Sequence, residues 1–292
     1  MKLALGTVQF GLNYGVANSS GRISDADARG ILSQASQCGF DTLDTAIAYG
    51  DSERILGGLG IDRWRVVTKL SAVPASCIDV VSWVQDEIRQ SMERLQVEQL
   101  HGVLLHQPSQ LLQSDGDELY EGLLRLKDKG LTRKIGVSVY EPKELDQLLN
   151  SYELDLVQAP LNVMDRRLVE SGWAKLLKDA NIELHTRSAF LQGLLLIPAH
   201  QRPLKFKRWA DVWAVWDDWL SEMNLSPLEA CLQYLNTVQE IDRVVVGVDT
   251  ENHLRQIVKA SQGRLGSMPN FRETLDTRLM NPAAWSELEA ES

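Results

Sequence analysis

Asp44, Tyr49, Lys69 and His106 have the side-chain types and the placement to do chemistry together. Each closes a short apolar run or sits on the loop beyond it. Asp44 lies in "TLDTA" (42–46) with Tyr49 shortly after, Lys69 in "RVVTKL" (65–70), and His106 ends "GVLLH" (102–106). A free phenol titrates near ~10 and releases its proton reluctantly at neutral pH. A neighbouring ammonium favours the tyrosinate and lowers that pKa, and a carboxylate keeps the ammonium charged and in place. The phenol then serves as a proton donor to a carbonyl oxygen that gains negative charge, and an imidazole can orient the same oxygen. That is the chemistry of carbonyl reduction, with a hydride arriving on carbon and a proton on oxygen. Taken singly, each residue has a plainer reading: Asp44 as a cap, Lys69 as an ion-pair partner, His106 as a loop residue before "QP". Structural ion pairs are common. Only convergence of all four favours the chemical reading.

Convergence requires a scaffold that brings run ends together. Eight runs rich in Val, Ile and Leu recur: 3–7, 42–46, 65–70, 102–106, 134–139, 154–159, 182–187 and 243–248. Runs apolar on both faces suit parallel strands covered on both sides. Stretches with helical spacing lie between them, at 24–39, 80–97, 119–130, 169–181 and 226–238. Ser24 opens the first as a cap, and Pro227 suits a first helical position. The pattern predicts an α/β fold, a (β/α)8 TIM barrel in a single domain over 1–292, with a C-terminal tail from about 270. A doubly wound sheet is the alternative. "GTVQFG" after the first run lacks the Gly-x-Gly-x-x-Gly of a dinucleotide-binding turn, which weakens it. In a barrel, chemistry sits at the C-terminal strand ends. Adjacent strands lie ~4.8 Å apart, so the ends of three neighbours span only ~10 Å.

The chain has 292 residues and a formal net charge of −10. An acidic surface repels phosphate backbones and anionic lipid, so neither nucleic acid nor membrane is an expected partner. Three widely spaced cysteines, with no Cys-x-x-Cys, read as reduced thiols of a cytoplasmic protein and not as a metal site. "MKLALGTVQFGLNYG" is a poor signal peptide, since Gln9 and Asn13 interrupt it and glycines break it.

The motifs together resemble the aldo-keto reductase family. "DTAIAYGDSE" (44–53) is similar to its Asp-Thr-Ala-x-x-Tyr-Gly-x-Ser-Glu signature. "TK" (68–69), "LLHQP" (104–108), "GLTRKIGVS" (130–138), "VQAPLN" (157–162), "RSAFLQGLLL" (187–196) and "GVDTENHLRQI" (247–257) follow in the family's order. The resemblance implies a barrel that acts on small carbonyl compounds with NADP or NAD. It implies Tyr49 as general acid, Lys69 as its modulator, Asp44 as the partner of Lys69, and His106 as substrate orienter. It also implies a cofactor set: Thr7 at the first strand end, Ser138 and Gln158 on the carboxamide, and Ser188, Phe190, Gln192 and Gly193 around the pyrophosphate. Gly247, Val248, Asp249 and Gln256 complete it near the adenosine. Monomer or small homo-oligomer is the expected state. A cofactor-binding regulatory subunit with little turnover is the alternative.

The chain departs from the family pattern in ways that bear on the cofactor. Val139 replaces an Asn after Ser138. Arg187 stands where a Tyr usually stacks on nicotinamide; it can stack on a ring, or face a phosphate or a substrate anion. No Lys or Arg stands at the usual places after the last strand to meet a 2′-phosphate, and Gln256-Ile257 replaces a Glu-Asn pair. Asp249 would repel that phosphate but could accept from a free 2′-hydroxyl. Arg255 and Arg264 are candidates to compensate. A polar mouth of His106, Asn162, His185 and Arg187 hints at a sugar. Trp209, Trp213, Trp216 and Trp219 share one helical face, expected to pack on the barrel wall or, alternatively, to border the substrate. The basic loop "RPLKFKR" (202–208) precedes them.

Overall fold

The computed structural model describes residues 2–16, 18, 21–263, 265–268, 271 and 276–291, the side chains of 289–291 excepted. Eight parallel strands close into a barrel in sequence order. They are β1 (Leu3–Gly6), β2 (Thr42–Asp44), β3 (Arg65–Leu70) and β4 (Leu100–Leu105), then β5 (Thr132–Ser138), β6 (Leu156–Pro160), β7 (Glu183–Arg187) and β8 (Arg243–Gly247). Each apolar run of the sequence became one strand, because a strand covered by helices outside and by packed side chains inside must be apolar on both faces.

The closing register aligns the strand ends. Gly6 pairs with Asp44 on one side and Gly247 on the other. Lys69 pairs with Leu104, Ser138 with Gln158, and Pro160 with Arg187. Inside the barrel, Val67, Leu104 and Leu156 form a small buried cluster of their own. It excludes water beneath the strand ends where the polar residues begin.

The helices follow their local signals. Ser24 caps Asp25–Gln37 by accepting from the Asp27 amide. Ser226 and Glu229 form a capping box at Pro227–Thr237. The expected helix over 169–181 is two pieces, Arg167–Glu170 and Trp173–Asp179, separated at Gly172, whose φ of 84° leaves the helical region. Trp213, Trp216 and Trp219 of Ala210–Met223 are buried, as is Trp209 just before it. This is the packing reading of the aromatic face. Trp216 and Trp219 stack at 5.5 Å.

The basic loop is partly neutralised. Arg202 forms a bidentate pair with Asp217 and covers the Trp213 ring at 4.5 Å. In the C-terminal segment, Thr277–Met280 is helical, and the buried Trp285 meets Phe206 edge-on at 4.9 Å. Among the described residues no helix is long and apolar enough to cross a membrane, and no group of three His, Cys, Asp or Glu is arranged to hold a metal.

Candidate active site

The C-terminal mouth of the barrel holds a chain of buried polar contacts. Lys69 Nζ, on β3, donates to Asp44 Oδ1 at 2.7 Å and to the Thr45 carbonyl at 3.0 Å. Gln158, on β6, donates from Nε2 to Asp44 Oδ2 at 2.7 Å, and its Oε1 accepts from Ser138 Oγ at 3.4 Å. Asp44 thus meets a partner on each oxygen. A charge this deep is tolerated only when paired and hydrogen-bonded. Burial alone would lower the Lys69 pKa, but Asp44 and the nearby Tyr49 more than offset it and raise the pKa overall. It stays an ammonium.

Tyr49 is positioned by its own motif. Its ring centroid lies 5.1 Å from Lys69 Nζ. The Tyr49 carbonyl accepts from the Ser52 amide, and Ser52 Oγ donates to the Thr7 carbonyl at 2.9 Å. Glu53, almost fully buried, accepts from Thr68, Ser91 and Arg94. The Ser-Glu that ends the signature therefore anchors the tyrosine loop to β1, β3 and the helix Val80–Leu95. Gly11 supports the same loop from the far side. A Cβ there would fall 1.8 Å from the Tyr49 carbonyl oxygen.

His106 meets Tyr49 edge-on, with centroids 6.1 Å apart. Burial first, then the charges of Lys69 and Arg187, lower its pKa to about 4. The imidazole is neutral at physiological pH, with one nitrogen donating and the other accepting.

A cleft of about 760 Å³ opens above these groups and runs across the mouth. Every residue singled out from the sequence as catalytic or cofactor-binding lines it, from Thr7 and Tyr49 at one side to Asp249 and Gln256 at the other. At the β8 end the Gln9 amide packs against Gly247, where a Cβ would fall 2.4 Å from Gln9 Nε2, and the buried Gln9 Oε1 and Asp249 Oδ1 have no hydrogen-bond partner. Such orphaned acceptors fit the hydroxyl or amide donors of a dinucleotide.

Burial pushes the Asp249 carboxyl up, against the opposing effect of His253. Arg255 does not compensate here: it is engaged by Gln34 and Glu251 on the outer helix face. Arg264 lies outside the described residues. The loop after β7 carries a run of left-handed backbone at Ser188 (φ 62°), Leu191 (φ 48°), Gln192 (φ 53°) and Gly193 (φ 89°). Left-handed non-glycine residues cluster at binding sites, where surrounding contacts hold them.

Two of the expected mouth residues are elsewhere. His185 is fully buried below the cleft and contacts Glu183 Oε1 at 2.8 Å. His101 and Lys134 meet the same carboxylate, so burial, which would raise the Glu183 pKa, is outweighed and its charge is favoured. Asn162 is a loop brace. It accepts from the amides of Met164 and Asp165, both at 2.9 Å, and donates to the Ser188 carbonyl at 3.1 Å. The polar-mouth argument for a sugar loses both residues.

Among the lining residues that escaped the sequence are Gln9, Tyr14 and Tyr140. The Tyr14 hydroxyl accepts from Gln192 Nε2 at 3.1 Å, and the Val16 amide donates to the Gln192 carbonyl at 3.0 Å. The loops after β1 and β7 are thus clipped together over the cleft. The signal was available in principle, because every loop after a barrel strand borders the mouth.

The comparisons with known proteins converge on one family. Residues 2–268 match the model of the aldo/keto reductase family. An uncharacterised oxidoreductase of Bacillus subtilis, YqkF, is 24% identical over 81% of this chain and 83% of its own length. An aldo-keto reductase of Mycolicibacterium vanbaalenii is 34% identical over 44% of this chain, and the match spans only 46% of that relative. The holo form of a Bacillus halodurans aldo-keto reductase superposes with a TM-score of 0.70 at 18% identity, covering 98% of this chain and 91% of its own. With the barrel, the signature and a match over nearly its whole length, the chain belongs to the aldo/keto reductase family.

Proposed function

We propose that the protein interconverts a small carbonyl compound and its alcohol, with a nicotinamide cofactor in the cleft and Tyr49 as the proton donor. One observation carries the reading: a buried Lys69 ammonium, held by Asp44, faces the Tyr49 ring while a neutral His106 borders the same space. A reduced nicotinamide supplies the hydride when bound. The protein's own residues do the rest. Tyr49 gives its proton to the carbonyl oxygen, and Lys69 stabilises the phenolate left behind. His106, being neutral, donates a hydrogen bond to the oxygen without adding a competing acid. A partner-binding subunit has no need of a buried ammonium held against a phenol, so the regulatory reading is disfavoured.

The finer cofactor reading is a preference for NADH over NADPH. The Asp249 carboxylate lines the cleft, where it would accept from a 2′-hydroxyl and repel a 2′-phosphate. Free thiols at Cys38, Cys77 and Cys231 support a cytoplasmic setting.

Turnover of an aldehyde panel with each reduced cofactor tests the reading. Replacing Tyr49 with Phe should lower kcat by about 10² to 10⁴-fold, the span of general acid catalysis. Full turnover in that variant would remove Tyr49 from the role, and NADPH binding about tenfold tighter than NADH would overturn the reading of Asp249.

A further inference from the structure

We infer that the substrate carries an anionic oxygen group, a carboxylate or a phosphate, and that Arg187 binds it. This rests on the proposed reductase reading and names the class of substrate within it.

The charge balance at the reacting end of the cleft is the first ground. Lys69 and Asp44 neutralise each other in a direct 2.7 Å pair. Glu183 lies below, spent on His101, His185 and Lys134. His106 is neutral. Arg187 is left as a lining cation, and among the described residues no carboxylate oxygen lies within 4.0 Å of it. A half-buried guanidinium without an anion has lost hydration with no ionic compensation. Supplying the anion with the substrate removes that cost only in the complex.

The second ground is geometry. Arg187 is fixed before any ligand arrives. One terminal nitrogen donates to the Val139 carbonyl at 3.1 Å, another to Ser188 Oγ at 3.3 Å, and the Tyr140 ring lies 4.6 Å from Cζ. A guanidinium has five N–H donors in a rigid fork, so the others remain for a bidentate contact. The Tyr140 ring lies against one face of the head. The left-handed backbone at Ser188 turns the chain directly after Arg187.

Direction is the third ground. Val139 and Tyr140 follow β5, so Arg187 reaches from β7 back across β6. β8, with Gly247 and Asp249 at its end, lies on the other side of β7. The head therefore points away from the Asp249 end of the cleft and toward the side of His106. Tyr14 borders the same space; its hydroxyl accepts from Gln192 and keeps its own proton to donate.

The test compares matched substrates under one cofactor: 4-carboxybenzaldehyde against 4-carbamoylbenzaldehyde, and glyceraldehyde 3-phosphate against glyceraldehyde. The charged member of at least one pair should have kcat/KM about tenfold higher, and Arg187→Gln should lower that ratio by about tenfold or more. A cofactor defect strikes both members alike and cancels in the ratio. The pair that responds identifies the anion. Ratios near one in both pairs, with turnover intact, would overturn the anion site and leave the reductase reading standing. If no aldehyde turns over, the reductase reading fails, and calorimetry with benzoate, phenyl phosphate and benzamide decides the site. Anion binding lost in Arg187→Gln sustains it; no anion binding overturns it.

Discussion

Gln158 Nε2 donates to Asp44 Oδ2 at 2.7 Å, across the barrel interior from β6 to β2. By resemblance Gln158 belongs to the cofactor carboxamide. Its amide nitrogen here completes the solvation of the carboxylate that holds Lys69. Removing it should therefore affect stability as well as binding. Gln158→Met keeps the volume and leaves one Asp44 oxygen buried without a donor, at a cost of about 1–3 kcal/mol. Urea denaturation without cofactor should show that loss. A variant as stable as the parent would mean that water fills the place and that the contact is dispensable.

Lys69 and Asp44 should separate stability from activity. Lys69→Met strands a buried carboxylate, and breaking a buried pair this way costs about 3–5 kcal/mol. Replacing both residues, Asp44→Leu with Lys69→Met, removes the stranded charge and should recover most of the stability. Activity should be lost in both variants. Chemical denaturation and kcat, measured on the same preparations, check the two halves. A double variant that regained turnover would show that the ammonium has no part in the chemistry.

The fold was legible because two-sided burial leaves an unmistakable mark. "RVVTKL" and "RVVVGV" are apolar on both faces at their centres, as a covered parallel strand requires. The gathering of Asp44, Tyr49, Lys69 and His106 at one mouth was legible because strand ends convert distance in sequence into proximity. The misses have physical causes too. His185 shares a face with Arg187 but lies two residues earlier, about 6.6 Å deeper along the strand. Polarity does not reveal depth; the full burial of His185 and its contact with Glu183 do. Tyr14 and Tyr140 sit on loops without periodicity, so nothing in the spacing aims them at the cleft. Asn162 looked like a ligand contact because loop-bracing and ligand-binding amides have the same chemistry.

The low pKa of His106 predicts a one-proton signature in stability. An unfolded histidine titrates near 6.5, whereas folded His106 titrates at about 4. Between those values the unfolded state binds the extra proton, so stability falls as pH drops from about 6.5 towards 4 and is full above that window. Unfolding free energies measured by urea at several pH values should show a gentler acid slope in His106→Gln. Identical slopes in parent and variant would mean that the folded imidazole titrates normally. The kinetic counterpart is a kcat/KM that shows no histidine-like step between about pH 5 and 8.

Gly11 should prove to be a positioning residue. It touches no reacting atom, yet a Cβ there would overlap the Tyr49 carbonyl oxygen at 1.8 Å. Backbone must move, and the nearest to move is the loop that carries Tyr49, the proposed proton donor. A displacement of about 1 Å in a catalytic group can cost about 10²-fold in rate. Gly11→Ala should therefore lower kcat by about ten- to a hundredfold. Its loss of stability should stay within the about 1–3 kcal/mol typical of overpacking, and cofactor affinity should change little. Stopped-flow rates and cofactor titration on the folded variant separate the cases. A fall in cofactor affinity with kcat unchanged would place the strain on the β1 loop instead of on Tyr49.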